Sequence, residues 1–506
     1  MSRVLRFLLP GLLLSIPLVA VGQQATEGAA GEAIVGARVP CENGQAAGFP
    51  CRGVDLLAFL PVPDIGGIRL LSDIWGWTDP ETGNEYALVA REDGTSFVDI
   101  SDPVNPVYLG DLPRHAGTSP SVWRDIKVYA NRAYIVADNV GDHGMQVFDL
   151  TQLRAVTNPP VTFSETDHYA AFEDTHNLAI NEETGFAYAV GANTCGGDLH
   201  MVDLRTTPTF AGCFSFFGFT HDIQCVVYQG PDTEHQGKEI CLASNVIQIS
   251  IIDVTDKAAP VVLSSGTYPN SAYVHQGWLT DDHRYFFQND ELDEVRELVP
   301  HTRTLIWDLA DLDDPVLLAE HMSENTASDH NLFIDGPYMF QSNYSSGLRI
   351  FDISEVANPV EVAFFDTYPA HDSSGYTHGS WGNYPFFESG TVVVSSIEEG
   401  LFILKPTDIA VAREAPVLPD PFTLSPAYPN PFTRQTAFTL TLDAAQPTSV
   451  VVSNMLGQHV RLLHQGMLSA GTHRFAFDAA GLPSGVYLIR TTGPSFSKTA
   501  LVLLTR

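Results

Sequence analysis

The chain has 506 residues, with 60 Asp plus Glu against 26 Lys plus Arg, a net charge of −34. So acidic a surface repels polyanions and excludes nucleic acid and anionic membrane as partners. It suits solubility in salt, where screening relieves self-repulsion.

The first predicted element is an export signal. Arg3 and Arg6 precede an apolar stretch, 7–21, broken by Pro10 and Pro17, and Ala20-Val21-Gly22 offers small residues for cleavage. Residues 1–22 therefore read as a secretory signal peptide, the apolar run being too short and interrupted to span a bilayer. Nothing later in the chain reads as transmembrane. Residues 23–53 form an N-terminal segment in which Cys41 and Cys51 are expected to close a small loop. Six cysteines, with no CxxC pair, suit disulfides in an exported protein rather than thiolate metal ligation. Cys225 and Cys241 fall on neighbouring strands, and Cys195 would meet Cys213 across the preceding boundary between repeats, although six cysteines allow fifteen pairings.

From 54 to 405 one unit recurs seven times, roughly every fifty residues. Its core is strand-like: Val98-Asp99-Ile100, Phe148-Asp149-Leu150, Val202-Asp203-Leu204, Ile252-Asp253-Val254, Trp307-Asp308-Leu309 and Phe351-Asp352-Ile353, with a degenerate copy at Leu401-Phe402-Ile403-Leu404. The repeated aspartate reads as a turn-former whose carboxylate accepts backbone N–H bonds. Each unit also predicts an inner strand before this core and one strand between them. Inner strands start near Asp73, Asp125, Asn177, Asp222, Gln276, Asn331 and Gly379. An outer strand follows only six of the cores. The segment 54–61 resembles the missing one and precedes the first unit, so it completes the last. Seven four-stranded units closed in this way predict a β-propeller of seven blades.

Residues 406–423, with Pro406, Pro416, Pro419 and Pro421, read as a stiff linker. The tail, 424–506, carries its own short alternating strands at 437–442, 449–453, 474–477, 486–491 and 499–504, enough for a small β-sandwich. Ser425-Pro-Ala-Tyr-Pro-Asn-Pro-Phe432, Asn454-Met-Leu-Gly-Gln-His-Val460, Ala470-Gly-Thr-His473 and Leu482-Pro-Ser-Gly-Val-Tyr-Leu488 resemble the C-terminal sorting domain of type IX secretion cargo. The resemblance implies an Ig-like module, the type IX secretion machinery as partner, and export through the periplasm to the medium or the outer-membrane surface. The fold class is thus all-β, a seven-bladed β-propeller followed by a small Ig-like β-sandwich.

The body resembles a family as well. The cores at 97–100, 147–150, 251–254 and 350–353 look like LVIVD repeats. With Pro40-Cys-Glu-Asn-Gly-Gln-Ala46, Phe49-Pro-Cys51 and Val54-Asp-Leu-Leu57 they resemble the choice-of-anchor B family. That resemblance implies a shared body joined to varied surface-anchoring modules and supplies no catalytic residues.

Site expectations rest on one position of the repeat, occupied by Ser72, Arg124, His176, His221, His275, His330 and His378. Inner-strand starts gather at one mouth of the channel. There five imidazoles can bind a transition metal such as copper, zinc, iron or nickel, or instead bond the neighbouring blade's backbone. Ser72, Arg124 and Asp222 are candidates for ligand binding, Arg124 favouring an anion. His115, His168 and His371 lie in loops leading to the same face. Asp232 and Glu234 offer a calcium loop, and 290–294 is either a further cation site or a solvated loop. No serine elbow, P-loop or HExxH occurs. The expected role is binding of an unidentified extracellular ligand or protein, with a metal-dependent enzyme, possibly an oxidoreductase, as the alternative.

Overall fold

The computed structural model describes residues 31–370, 378–407, 409, 422–424, 427, 429–442, 445–454, 459–493 and 496–505. The signal peptide at 1–22, most of the linker and His371 lie outside the described residues. The chain divides into two compact units, 1–411 and 412–506. Both are all-β; among the described residues the helical segments are three short 3₁₀ turns.

Seven sheets are described in the first unit, antiparallel apart from the short edge strand Val161–Thr162, which pairs in parallel with Val107–Pro113. Their first strands are Leu71–Thr78, Arg124–Tyr129, Asn177–Asn181, Asp222–Val227, Val274–Leu279, Asn331–Asp335 and Ser380–Tyr384. We number the sheets 1 to 7 in that order. Each first strand contacts the first strand of the next sheet, and the seventh contacts the first, so the sheets close a cycle. In sheet 7 the fourth strand is Val54–Pro61, which pairs with Gly400–Pro406. Closure thus joins the two ends of the unit by main-chain hydrogen bonds.

The repeated aspartates do local work. Asp99, Asp149, Asp203, Asp253, Asp308 and Asp352 each accept the N–H two residues on, at 2.8–3.0 Å. This Asx turn ends the third strand and turns the chain toward the fourth. The apolar residues of the strands face adjacent sheets; Ile251, Leu242 and Ile249 of sheet 4 share a core with Phe286, Leu305 and Trp307 of sheet 5.

Three disulfides are present: Cys41–Cys51, Cys195–Cys213 and Cys225–Cys241. Cys41–Cys51 staples a hairpin whose Phe49–Arg52 strand pairs with Val360–Phe365 of sheet 6, immediately before 54–61 enters sheet 7. Cys225 faces Cys241 directly across two strands. Cys195 pairs with Cys213 as expected, but within one sheet rather than across a boundary between repeats. The bridge joins the turn before Leu199–Asp203 to Thr209–Phe214, both in sheet 3, because that turn folds back over the outer strand of its own sheet.

In the second unit a sheet of Phe422–Leu424, Gln435–Leu442 and Gly471–Asp478 shares an apolar core with a sheet of His459–Leu468, Gln446–Asn454, Gly485–Gly493 and Phe496–Leu504. Phe438 and Phe477 from one sheet meet Val450, Ile489 and Val502 from the other.

Candidate functional site

The cycle of first strands encloses a channel with a cavity of about 450 Å³. The strand period of two sends alternate side chains into it, so residues about fifty positions apart become neighbours. His176, His221, His275 and His330 line one part. Their ring centroids follow one another at 4.4, 4.1 and 4.6 Å.

Three of these rings tie neighbouring sheets together. Nδ1 of His221 lies 3.0 Å from the carbonyl of His275, Nδ1 of His275 lies 3.1 Å from that of His330, and Nδ1 of His330 lies 2.5 Å from that of Trp381. A carbonyl only accepts, so each Nδ1 carries the proton and each Nε2 is left as a lone pair. Burial holds His221 and His275 well below the usual histidine range and His330 down to about 3. All three are neutral at physiological pH. His176 instead places Nδ1 2.9 Å from Asp138.

His378 does not join the series. It pairs with Glu398, stacks on Tyr368, and is absent from the channel lining. A bulge between Ser380 and Gly382 shifts the register there, and the carbonyl that His330 bonds belongs to Trp381. Ser72 and Arg124 also lie off the channel lining. Ser72 is fully buried, beside a bulge between Leu71 and Ile74. Arg124 turns toward its own sheet, its Nη2 lying 3.1 Å from Nε2 of His143. Burial lowers Arg124 to about 10 and His143 to about 3.

Asp222 does line the channel, within a polar layer that also holds Asp73, Asp125 and Lys127. Lys127 pairs with Asp125, lies 3.4 Å from Asp73, and sits 4.6 Å over the ring of Trp75. Asp125 accepts the N–H of Leu178 from the next sheet at 2.6 Å. Burial opposes ionisation throughout this layer and is the largest single influence on Asp125, but the Lys127 charge and the hydrogen bonds from Asp73, Lys127 and the Leu178 N–H together hold Asp125 below the usual carboxylate range. Asp73 is pushed well above that range by burial, and Asp222 to about 7. The layer therefore holds one firm ion pair, Lys127 with Asp125, beside two carboxyl groups whose charged form burial disfavours. Trp75, Trp278, Phe333, Tyr384 and Phe386 line another part of the channel as a continuous aromatic wall, with centroids 5.0–6.1 Å apart.

The acidic stretch 290–294 is not solvated. Asp290 and Asp293 are fully buried, and Glu294 nearly so. Asp290 accepts from the Tyr268 hydroxyl and from the N–H groups of Ala272 and Tyr273. Glu291 of the same stretch reaches His275 and Tyr344. The loop expected to offer a calcium site is held by several hydrogen bonds. Asp232 accepts from the N–H groups of Glu234 and Leu312, and His235 bridges toward Asp313 at 3.1 Å with the Lys238 ammonium 3.1 Å away. His115 and His168 stack at 4.0 Å, with His115 on Glu165 at 3.0 Å, in a group separate from the channel lining.

Fold and sequence together define an all-β protein of many antiparallel sheets whose tail directs export. Residues 426–503 match the secretion system C-terminal sorting domain. The protein is exported by type IX secretion to the cell surface or beyond it. Among the described residues no helix is long and apolar enough to cross a membrane. No curated protein matches the sequence. Among solved structures, PorZ, a surface component of the type IX secretion system of Porphyromonas gingivalis, aligns over 84% of this chain and 58% of its own, at 13% identity and a TM-score of 0.43. The chain thus spans 58% of the length of PorZ. A protein from Lactobacillus plantarum aligns over 81% of this chain and 99% of its own, at 12% identity and a TM-score of 0.43. The C-terminal WD40 domain of Sif2 aligns over 66% and 81%, at 10% identity and a TM-score of 0.39.

Proposed function

We propose that the chain is a cell-surface-directed binding protein, a seven-bladed β-propeller followed by an Ig-like sorting module, with its ligand site in the central channel. The closed cycle of first strands supports the propeller, and the choice-of-anchor B resemblance of 38–406 supports a body displayed by interchangeable anchors. The observation that carries the binding reading is the channel itself. A polar layer and an aromatic wall face one lumen of about 450 Å³, within the range of small-molecule sites. A ligand with a flat apolar or sugar-ring face stacks on Trp75 or Trp278, while Asp222 and Asn177 meet its hydroxyl or amide groups.

Trp75, Trp278 and Trp381 line the channel, so occupancy is readable in intrinsic fluorescence. The exported chain, titrated with extracellular oligosaccharides and aromatic small molecules, should give a saturable change. Trp278→Ala should weaken binding about tenfold, the loss of one stacked ring at 1–3 kcal/mol. Binding of unchanged strength in both Trp278→Ala and Phe386→Ala would remove the channel as the site.

A further inference from the structure

The histidine lock leaves one edge of each imidazole unused. In His275 and His330 the Nδ1 protons are committed to the carbonyls of His330 and Trp381, so Nε2 presents a lone pair. Oε2 of Glu291 lies 3.8 Å from Nε2 of His275. The other oxygen of Glu291 accepts a 2.6 Å bond from the Tyr344 hydroxyl. The imidazole nitrogen and the carboxyl oxygen thus face each other across a gap too long for a hydrogen bond. Next to His330 in the chain, Asp329 is fully buried and neither of its carboxylate oxygens has a hydrogen-bond donor. An excess of buried acceptors is costly unless a cation satisfies it.

One ligand atom from each of His275, Glu291 and His330 lies within 4.8 Å of the others. Donors about 2.0–2.2 Å from a common ion fall inside that spread. We propose that His275 Nε2, His330 Nε2 and one oxygen of Glu291 bind a divalent first-row transition metal of the Zn²⁺ or Fe²⁺ kind. Two imidazoles and one carboxylate suit such ions, whereas Ca²⁺ and Mg²⁺ take oxygen ligands throughout. Tyr344 and the carbonyls of His330 and Trp381 orient the ligands from outside, the usual arrangement behind ligating histidines. His275 and His330 belong to the channel lining, and Glu291 stands behind them, off that lining. His378, which sequence spacing groups with them, takes no part.

The site shares the channel with the proposed organic ligand but does not require one. A chain that binds metal and no organic ligand overturns only the earlier reading. The test uses the full exported chain, purified without a histidine tag and stripped with chelator. Co²⁺ is the optical probe and Zn²⁺ the competitor. One Co²⁺ per chain should bind with visible ligand-field bands that Zn²⁺ abolishes. Glu291→Gln keeps an acceptor for Tyr344, and His330→Asn keeps a donor for the Trp381 carbonyl. Each should weaken Co²⁺ binding at least tenfold with unchanged near-UV circular dichroism. His378→Ala should bind as the parent does. The proposal is overturned if the stripped chain shows neither Co²⁺ bands nor Zn²⁺ uptake, or if the variant that retains its fold binds Co²⁺ as tightly as the parent.

Discussion

His221 donates its Nδ1–H to the main-chain carbonyl of His275 at 3.0 Å, and the two rings lie 4.1 Å apart. The bond ties sheet 4 to sheet 5 at the innermost strand, and the same device continues from His275 to His330 and from His330 to Trp381. Asn177 and Gln276 extend it, their amides donating to the carbonyls of His221 and Leu332. Inter-sheet bonding and metal ligation are therefore not rivals here, since they use opposite edges of the imidazole.

Removing the donor should loosen the cycle. His221→Ala is expected to lower stability by about 1–3 kcal/mol, the cost of leaving a buried carbonyl unpaired. His221→Asn, which restores an N–H near the position of Nδ1, should recover part of it. Urea midpoints decide: if alanine and parent unfold at the same concentration, the carbonyl has found another donor.

The turn aspartates were legible because an Asx turn is local, its two ends only two residues apart. The channel histidines were legible because repeats carry equivalent residues to equivalent places. Two equivalent positions depart from that rule: His378 pairs with Glu398 off the lining, and Ser72 is buried off it. A bulge flanks each of them, but one also flanks His275, which stays on the lining. The stretch 290–294 was legible as a cation-site candidate, but the meeting of Glu291 with His275 and Tyr344 was not, because it depends on how that stretch folds inward. Lys127 did carry a signal: it is one of few lysines, and it stands two residues from Asp125, on the same face of a strand.

Glu239 is the hub between sheets 3 and 4. One oxygen accepts from Asn181, Thr184 and Tyr188 at 2.8, 2.7 and 2.5 Å, and the other from Lys257 at 2.6 Å. Burial and this carboxylate together push the Tyr188 phenol up. Glu239→Ala strands an ammonium and three polar groups and should cost about 3–5 kcal/mol. Glu239→Gln keeps acceptor capacity toward sheet 3 and should cost less. Equilibrium denaturation of the pair checks the order; equal losses would mean that the Lys257 charge pair alone matters.

Asp79 and Arg154 clamp sheet 1 to sheet 2. Arg154 donates Nε and Nη2 to the two carboxylate oxygens at 2.7 and 2.5 Å, and Thr82 and the N–H of Glu81 add bonds. The Arg154 hydrogen bonds bring Asp79 down to about 2. The unfolded carboxyl titrates near 3.9. The clamp's stabilisation is therefore full above about pH 4 and is lost as pH falls through about 2. Asp79→Asn should be less stable than the parent at neutral pH and should lose less between pH 4 and pH 2. Parallel melting curves for the two proteins across that interval would show that the clamp contributes nothing.

The sorting tail has an apolar core of its own, built from Phe432, Phe438, Val450, Phe477, Ile489 and Val502, and forms a separate compact unit. The body closes its cycle with 54–61, and among the described residues none of its sheets takes a strand from beyond 406. Deleting 424–506 should therefore leave the body folded, with all three of its disulfides, while removing the segment that the secretion machinery reads. The truncated chain should accumulate in the periplasm as a protease-resistant, oxidised species, and the full chain should reach the surface or the medium. Fusing 424–506 to an unrelated periplasmic reporter should carry that reporter out. Export of the truncated chain would mean that a second signal lies in the body, and degradation in the periplasm would mean that the body needs its tail to fold.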